Sequence, residues 1–420
     1  MGGFRGKVLV VSNECFNWGS SNGRTIMNLL DRIPTEQIAQ FYIHGTPDPA
    51  FCKQYFCVSD RDALHALLPG KRRTAPSASA SDRRTVVRNC RNLYLRNAVW
   101  QTRMWWKKEF DAFLQSVSPD VVILQAGDAP FMYDIARRIA NRFRVPLLIY
   151  NSEAYVLKET LYDGISTKDI WHRLLQKALK RAFLRGIRYA GCCVYNTEYI
   201  ADKYRLAYPM EKVSLVLYTA SALSPIPEKE TKDQFTLLYC GNMGVGRVAP
   251  LCQVADVLYE LDKDAKMLVC GSIPTKQEKE MLCSKPNVEY GGRVPYEEVL
   301  RLMGQASMLL HCENSAMLRD LEYAFSTKIA DNLASGRPFL VYASEKYPFV
   351  QYLKENGCAH IATSEASLKT VLARCIEDEG YRSQYKEAAV ALAAQNHNLE
   401  NNCKKFRAVL ARLCNNREEA

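Results

Sequence analysis

Two stretches of the sequence combine residue types at a spacing that could hold a phosphate-bearing ligand. The first reads Leu237-Leu238-Tyr239-Cys240-Gly241-Asn242-Met243-Gly244-Val245-Gly246-Arg247. A β-like run leads into three glycines and then a base. Glycine lets the backbone turn sharply and approach a ligand closely. A helix that follows would offer free N–H groups, and Arg247 adds a planar cationic fork suited to phosphate. The spacing is Gly-x-x-Gly-x-Gly, not the dinucleotide Gly-x-Gly-x-x-Gly, and no full Walker sequence occurs. A tight turn with a solvated Arg would read the same way. The second stretch is Phe325-Ser326-Thr327-Lys328-Ile329-Ala330-Asp331-Asn332-Leu333-Ala334-Ser335-Gly336-Arg337-Pro338. Ser326 or Thr327 can cap a helix here, Gly336 can close it, and Pro338 stops continuation. Lys328 falls in the first turn, where the helix dipole disfavours a cation. A base there makes sense if an anion sits between it and the free N–H groups. Asp331, three residues on, shares nearly the same face and could accept hydrogen bonds from a ribose. The bland alternative is a solvated first turn with a fortuitous Lys.

Both stretches need strands and helices to position them. Strands are expected at Lys7–Ser12, Ile38–Ile43, Asp120–Leu124, Pro146–Tyr150, Gly191–Tyr195 and Val213–Leu217, with helices such as Asp128–Phe143 and Ile170–Tyr189 between. Largely apolar runs of this kind fit parallel strands buried on both faces. Residues 221–233 carry two prolines and a polar run, and read as a linker. The alternation then restarts: strands at Phe235–Cys240, Lys266–Cys270, Val288–Tyr290, Ser307–His311 and Pro338–Ala343; helices at Pro250–Leu261, Tyr296–Gln305, Thr327–Ser335 and Tyr347–Asn356. The pattern predicts an α/β protein of two Rossmann-like, doubly wound domains, residues 1–220 and 234–385, facing across a cleft, with a helical tail over 386–420.

The joint order of these motifs resembles a known family. Gly241-Asn242-Met243-Gly244…Arg247 is followed by Val269-Cys270-Gly271, Val288-Glu289-Tyr290-Gly291-Gly292, Leu309-Leu310-His311-Cys312-Glu313, and then Ser326-Thr327-Lys328…Asp331…Gly336-Arg337-Pro338. This order is similar to the nucleotide-sugar half of GT-B glycosyltransferases, especially retaining family 4 (glycosyl transferases group 1). The loop from Ser12 to Thr25, with Gly19 and Gly23, resembles the family's acceptor-side loop. Tyr195-Asn196-Thr197-Glu198 with Tyr204, and His397-Asn398 near the end, are also similar, so the resemblance spans essentially the full chain. It implies transfer of a sugar from a UDP- or GDP-linked donor to a glycan or lipid-linked hydroxyl, with neither metal nor added cofactor. Arg247 and Lys328 would hold the diphosphate, helped by Gly241, Gly244, Gly246 and Thr327. Asp331 would meet the ribose and Glu313 the donor sugar, while Glu153 would lie on the acceptor side. The sequence departs from the family's Glu-x7-Glu pattern. Glu313 and Asp331 are 18 positions apart, Asn314-Ser315-Ala316 stands where a Gly-Phe signature is usual, and Glu322 rivals Glu313.

Composition limits the alternatives. The chain has 420 residues, 48% apolar and 24% charged, which excludes a mainly disordered, collagen-like or coiled-coil protein. Its longest apolar runs fall far short of the roughly 18–20 residues of a membrane span. The opening residues suit neither a secretory nor a myristoylation signal. Fifteen scattered Cys do not read as a disulfide framework, so a reducing cytosol is expected. The net charge of +11 is local: residues 71–108 alone carry +10. Within them Arg83–Lys108 can be read as one amphipathic helix. Arg88, Arg91 and Arg96 lie on its basic side, and Trp100, Trp105 and Trp106 near its end. Such a helix suits the surface of an anionic membrane, or it packs its apolar side on the N-terminal sheet. Nucleic acid is not expected, because no nucleic-acid module accompanies the bases. Two other functions stay open: a nucleotide-sugar epimerase, and a non-catalytic membrane- or polyanion-binding protein.

Overall fold

The computed structural model describes residues 4–19, 21–67, 89–158, 169–209, 213–227 and 234–415. The chain divides into two compact units, Met1–Tyr218 with Leu399–Ala420, and Thr219–Asn398. Each is built on one parallel sheet.

The first unit contains β1 (Val8–Val11), β2 (Ile38–Tyr42), β3 (Gln54–Cys57), β4 (Val121–Gln125), β5 (Leu147–Asn151), β6 (Cys192–Tyr195) and β7 (Val213–Val216). Their order across the sheet is β3-β2-β1-β4-β5-β6-β7. In the second unit β8 (Thr236–Cys240), β9 (Lys266–Cys270), β10 (Val288–Gly292), β11 (Met308–Cys312), β12 (Phe339–Tyr342) and β13 (His360–Ala362) run in the order β10-β9-β8-β11-β12-β13. Every neighbouring pair is parallel. β1, β2, β4, β5 and β6 are buried along their whole length, which is why they read as continuous apolar runs. In both sheets strand order reverses beside the first strand, between β1 and β4 and between β8 and β11. Ligands of doubly wound sheets bind beyond the carboxyl ends of the strands at such a reversal.

Two strands escape the sequence pattern. β3 is an edge strand with no buried residue, and β13 is an edge strand of three residues. An edge strand covered on one side has less need of an apolar run. The helix Lys276–Cys283 also goes unread, because it buries only Leu282.

The region expected to be a helical tail splits. Lys386–Asn396 belongs to the second unit, whereas Leu399–Asn415 belongs to the first. Phe406, Leu410 and Leu413, at helical spacing, join the core formed by Val8, Val10, Val121 and Ile123. The described part of the expected linker packs within the second unit. The Ser221 N–H donates to the His397 carbonyl at 2.8 Å and the Ile226 N–H to that of Ser335 at 2.8 Å. Residues 228–233 lie outside the described residues.

The single helix expected over Arg83–Lys108 is not found. Residues 83–88, Arg88 among them, lie outside the described residues. A helix begins at Cys90, capped by Asn89, whose side chain accepts from the Asn92 N–H at 2.8 Å. It ends at Gln101, Arg103 turns to φ +62°, and a second helix starts at Lys108. The tryptophans are packed inward. Trp100 stacks on Phe131 at 4.7 Å, Trp105 stacks on Phe41 at 5.7 Å, and both are buried. Trp106 donates its indole N–H to Asp111 at 2.8 Å. Arg96 Nε donates to Asp60 at 2.7 Å and Trp100 Nε1 to the same oxygen at 2.8 Å. Burial alone would raise the Asp60 pKa, but His44, Arg96 and Trp100 outweigh it and hold the carboxyl well below the usual range. Arg96 and Trp105 are therefore spoken for inside the unit; Arg91 is the exposed one, its guanidinium 6.0 Å from the Trp171 ring. No helix among the described residues is long and apolar enough to cross a membrane.

Replacing Trp100 by Ala should cost about 3–5 kcal/mol, the range for deleting a buried aromatic ring. Urea unfolding of the full chain measures it, and a change under about 1 kcal/mol would contradict the packing assigned to this ring.

Candidate functional site

The second sheet's reversal lies between β8 and β11, and the residues that follow these strands meet there. β8 ends at Cys240 and leads through Gly241–Gly246 into the helix Val248–Leu261, with Arg247 as its cap residue. β11 ends at Cys312, and the next residue is Glu313. Arg247 reaches Glu313 with both edge nitrogens, Nε to Oε2 and Nη2 to Oε1, each at 2.8 Å. Its remaining nitrogen, Nη1, donates to the carbonyls of Asn242 and Gly244, each at 3.3 Å. This is the bidentate geometry in which Arg and carboxylate bind most strongly.

The loop that carries Arg247 needs unusual backbone. Gly241, Val245 and Gly246 have φ of +153°, +60° and +71°. Glycine tolerates such angles, but a β-branched Val in the left-handed region is strained by about 1–3 kcal/mol. The surroundings hold the strain in place. The Gly244 N–H donates to Asn242 Oδ1 at 2.8 Å, and Asn314 Nδ2 donates to the Gly246 carbonyl at 3.0 Å. Tyr347 in turn donates its hydroxyl proton to the Asn314 carbonyl at 2.7 Å.

Lys328 enters from the helix Thr327–Ala334. Its Nζ donates to the Tyr239 hydroxyl at 2.8 Å and sits 4.7 Å from the centre of that ring. Gly241 leaves it room: a Cβ there would fall 2.5 Å from Lys328 Nζ. Ser326, the cap residue of this helix, makes no side-chain cap bond. Thr327 is the first helical residue, so free N–H groups and Lys328 share one end of the helix. Burial and the nearby Arg247 push the Lys328 pKa down to about 8.

Glu313 is 5% exposed. Burial would raise its pKa, but His311 and Arg247 outweigh that and hold it at about 2. His311 is fully buried on β11, with Nε2 3.4 Å from Glu313 Oε1. Burial draws its own pKa below the ordinary imidazole value.

The cluster thus joins Arg247, Glu313, Lys328, Gly241, Gly244 and Gly246. Asp331, expected to meet a ribose, accepts from the Ser221 hydroxyl through Oδ1 at 2.7 Å. Glu322 ends the short helix Leu318–Leu321, and Glu313 is the carboxylate that Arg247 grips. In the first unit, Gly19 donates its N–H to Asn17 Oδ1 at 2.7 Å, while Gly23 lies within the helix Ser21–Leu30 rather than in a loop. Glu153 is not a free loop carboxylate. The Lys158 ammonium, only 3% exposed, donates to it at 2.5 Å. Sequence reasoning did not assign roles to Tyr239, His311 or Asn314. His311 could have been noticed as an ionisable residue two positions before Glu313 on an otherwise apolar strand.

Residues 252–408 match the model of a family described as glycosyl transferase-like. No curated protein matches the sequence. Among solved structures, Anabaena HepE in complex with UDP is 12% identical, with a TM-score of 0.64 over 97% of this chain and 100% of that one. Sucrose-phosphate synthase from Thermosynechococcus elongatus is 10% identical, with a TM-score of 0.64 over 97% and 99%. The apo lipopolysaccharide outer core galactosyltransferase WaaB is 12% identical, with a TM-score of 0.57 over 95% and 98%. At such identities the structural likeness speaks for the fold alone: the chain has the GT-B fold, and its residues 252–408 mark it as a glycosyltransferase.

Proposed function

We propose that this glycosyltransferase moves a hexose, with retention, from a UDP-linked donor to a hydroxyl of a glycan or lipid-linked acceptor in cell-surface polysaccharide or glycolipid synthesis. The observation that carries the reading is the convergence of Arg247, Glu313 and Lys328 at the reversal between β8 and β11. Two cations and two helix N-termini at one sheet edge favour a diphosphate. HepE's structures with UDP and with UDP-glucose favour uridine over guanosine as the base. The resemblance to retaining family 4 supports retention.

In this reading Arg247 and Lys328 take the diphosphate. As the sugar–oxygen bond breaks, they offset the charge that gathers on the departing phosphate oxygen. Fixed donors act best in a site that holds little water, and both cations sit in largely enclosed positions. Glu313 stays ionised at any working pH, and in this reading it accepts hydrogen bonds from the donor sugar's hydroxyls. Arg247 is its counter-ion and holds it in place. Asp331, hydrogen-bonded to Ser221, is the residue this reading sets against the donor ribose.

A thermal-shift panel of UDP, GDP and their sugars, read together with hydrolysis, tests the proposal. UDP should raise the melting temperature. Lys328→Ala should weaken UDP binding by about 1.5–3 kcal/mol, roughly ten- to hundredfold. Folded wild-type protein that responds to no nucleotide would refute the reading, and an unchanged response in the variant would remove Lys328 from the site.

UDP binding should also depend on alkaline pH. With a pKa of about 8, Lys328 is charged below that pH and neutral above it. An anion prefers the charged form, so affinity should fall as pH rises through 8, and binding should take up protons there. Calorimetry in buffers of different ionisation enthalpy measures the uptake. Affinity that stays level from pH 7 to 9.5 would contradict it.

A further inference from the structure

The last residues of β8 and β9 are both cysteine, and the sheet register sets Cys240 directly against Cys270. Paired residues on neighbouring strands project from the same face. That face is identified by Leu238 and Leu268, two residues earlier on each strand: Leu238 shares a core cluster with Ile329 and Leu333 of the helix bearing Lys328, and Leu268 and Cys240 pack against it. The two sulfurs therefore sit on the Lys328 side of the sheet, under the glycine turn of the candidate donor site. Neighbouring strands run roughly 4.8 Å apart, inside the Cα separation that a disulfide spans. Space is provided for the inner sulfur, since a Cβ at Gly291 would come within 3.0 Å of Cys270 Sγ. Cys270 is buried and Cys240 half-buried, so the pair can be reached from one side. The thiols sense each other. Cys270 raises the Cys240 pKa far above the usual thiol range, and Cys240 draws that of Cys270 down.

We propose that Cys240 and Cys270 form an oxidisable dithiol whose closure to a disulfide weakens donor binding. The oxidant is a small disulfide of the glutathione type. Cys240, the more exposed residue, attacks one sulfur of the oxidant as its proton passes to Cys270, the thiolate of the pair. The oxidant's S–S bond breaks, one small thiol leaves, and a mixed disulfide remains. Cys270 then attacks the Cys240 sulfur and expels the second small thiol. Two electrons pass from the cysteines to the oxidant, and the two protons end on the released thiols. Closure draws the sulfurs to about 2 Å apart. The turn beside the pair is tightly packed: a Cβ at Gly271 would fall 1.9 Å from the Gly241 carbonyl oxygen, and Lys328 lies across Gly241, so an adjustment of the strand ends on closure is passed to Lys328. The effect on binding rests on the donor-site reading; disulfide formation itself does not.

The full chain is treated with glutathione disulfide and divided between peptide mapping without reductant and UDP titration. The map should show Cys240 joined to Cys270. UDP should bind at least about tenfold more weakly, and dithiothreitol should restore binding. Cys240→Ser, or Cys240→Ala if the first folds poorly, should keep its UDP affinity under the oxidant. Cys270→Ser should stop at a glutathione adduct on Cys240. The exposed Cys57 and Cys283 report that the oxidant acts. If they are modified and no Cys240–Cys270 link forms, the proposal is overturned. A link that leaves UDP affinity unchanged overturns the control of binding. If the reduced wild type binds no nucleotide, the donor-site reading fails and the control falls with it, while the map still decides the dithiol.

Discussion

The second unit is organised around one rule: a buried carboxylate must be paired. Glu313 sits almost out of solvent at the end of β11. An unpaired charge there would be untenable. Arg247 therefore has to reach across the reversal with its guanidinium edge on. That fixes the cap of the helix Val248–Leu261, and the cap fixes the path of residues 241–246. The path forces left-handed backbone at Gly246 and at Val245, and the strain at Val245 is tolerated because Asn314 and Asn242 tie the loop from both sides. Hydrogen bonds thus hold the loop on a single path.

The parts of this arrangement differ in how plainly the sequence announces them. The Gly-x-x-Gly-x-Gly-Arg run and the Lys328 helix are local patterns, with breakers and caps at readable positions. Their surroundings are not local. Lys328 rests on Tyr239, 89 residues away, and no spacing rule connects them. Asn314 looked like a departure from a family signature, yet it holds the Gly246 carbonyl. Asp331 carried the right type in the right turn, but the residue that competes for it, Ser221, belongs to a segment that reads as linker. The buried strands were legible because being covered on both faces demands an unbroken apolar run. β3 and β13 were not, because an edge relaxes that demand.

The basic stretch shows how a correct charge count can mislead about geometry. Periodicity could not foresee the break after Gln101, where Arg103 takes a left-handed turn without a glycine to signal it. Just before that break Trp100 stacks on Phe131, and past it Trp105 turns back on Phe41 and Phe110. Arg96 is drawn in as well, because Asp60 already has the Trp100 indole and would otherwise be a poorly paired carboxylate. Much of what looked like an interface is packing, and the positive charge that remains on the described surface is narrower than the sequence suggested.

The helix Leu399–Asn415 has a consequence for how the molecule is made. It supplies Phe406, Leu410 and Leu413 to a core whose other members come from the first 220 residues, and Cys403 donates its thiol proton to the Asn28 carbonyl, 375 positions away. Synthesis runs from the N-terminus, and units fold as they emerge. The second unit is one unbroken segment and can complete itself while residues beyond it are still inside the ribosome. The first unit, although its sheet emerges earlier, has to wait with an open apolar face until its closing helix arrives. The older half of the nascent chain is thus the later one to finish, and it is the half that would need a chaperone's cover in the interval.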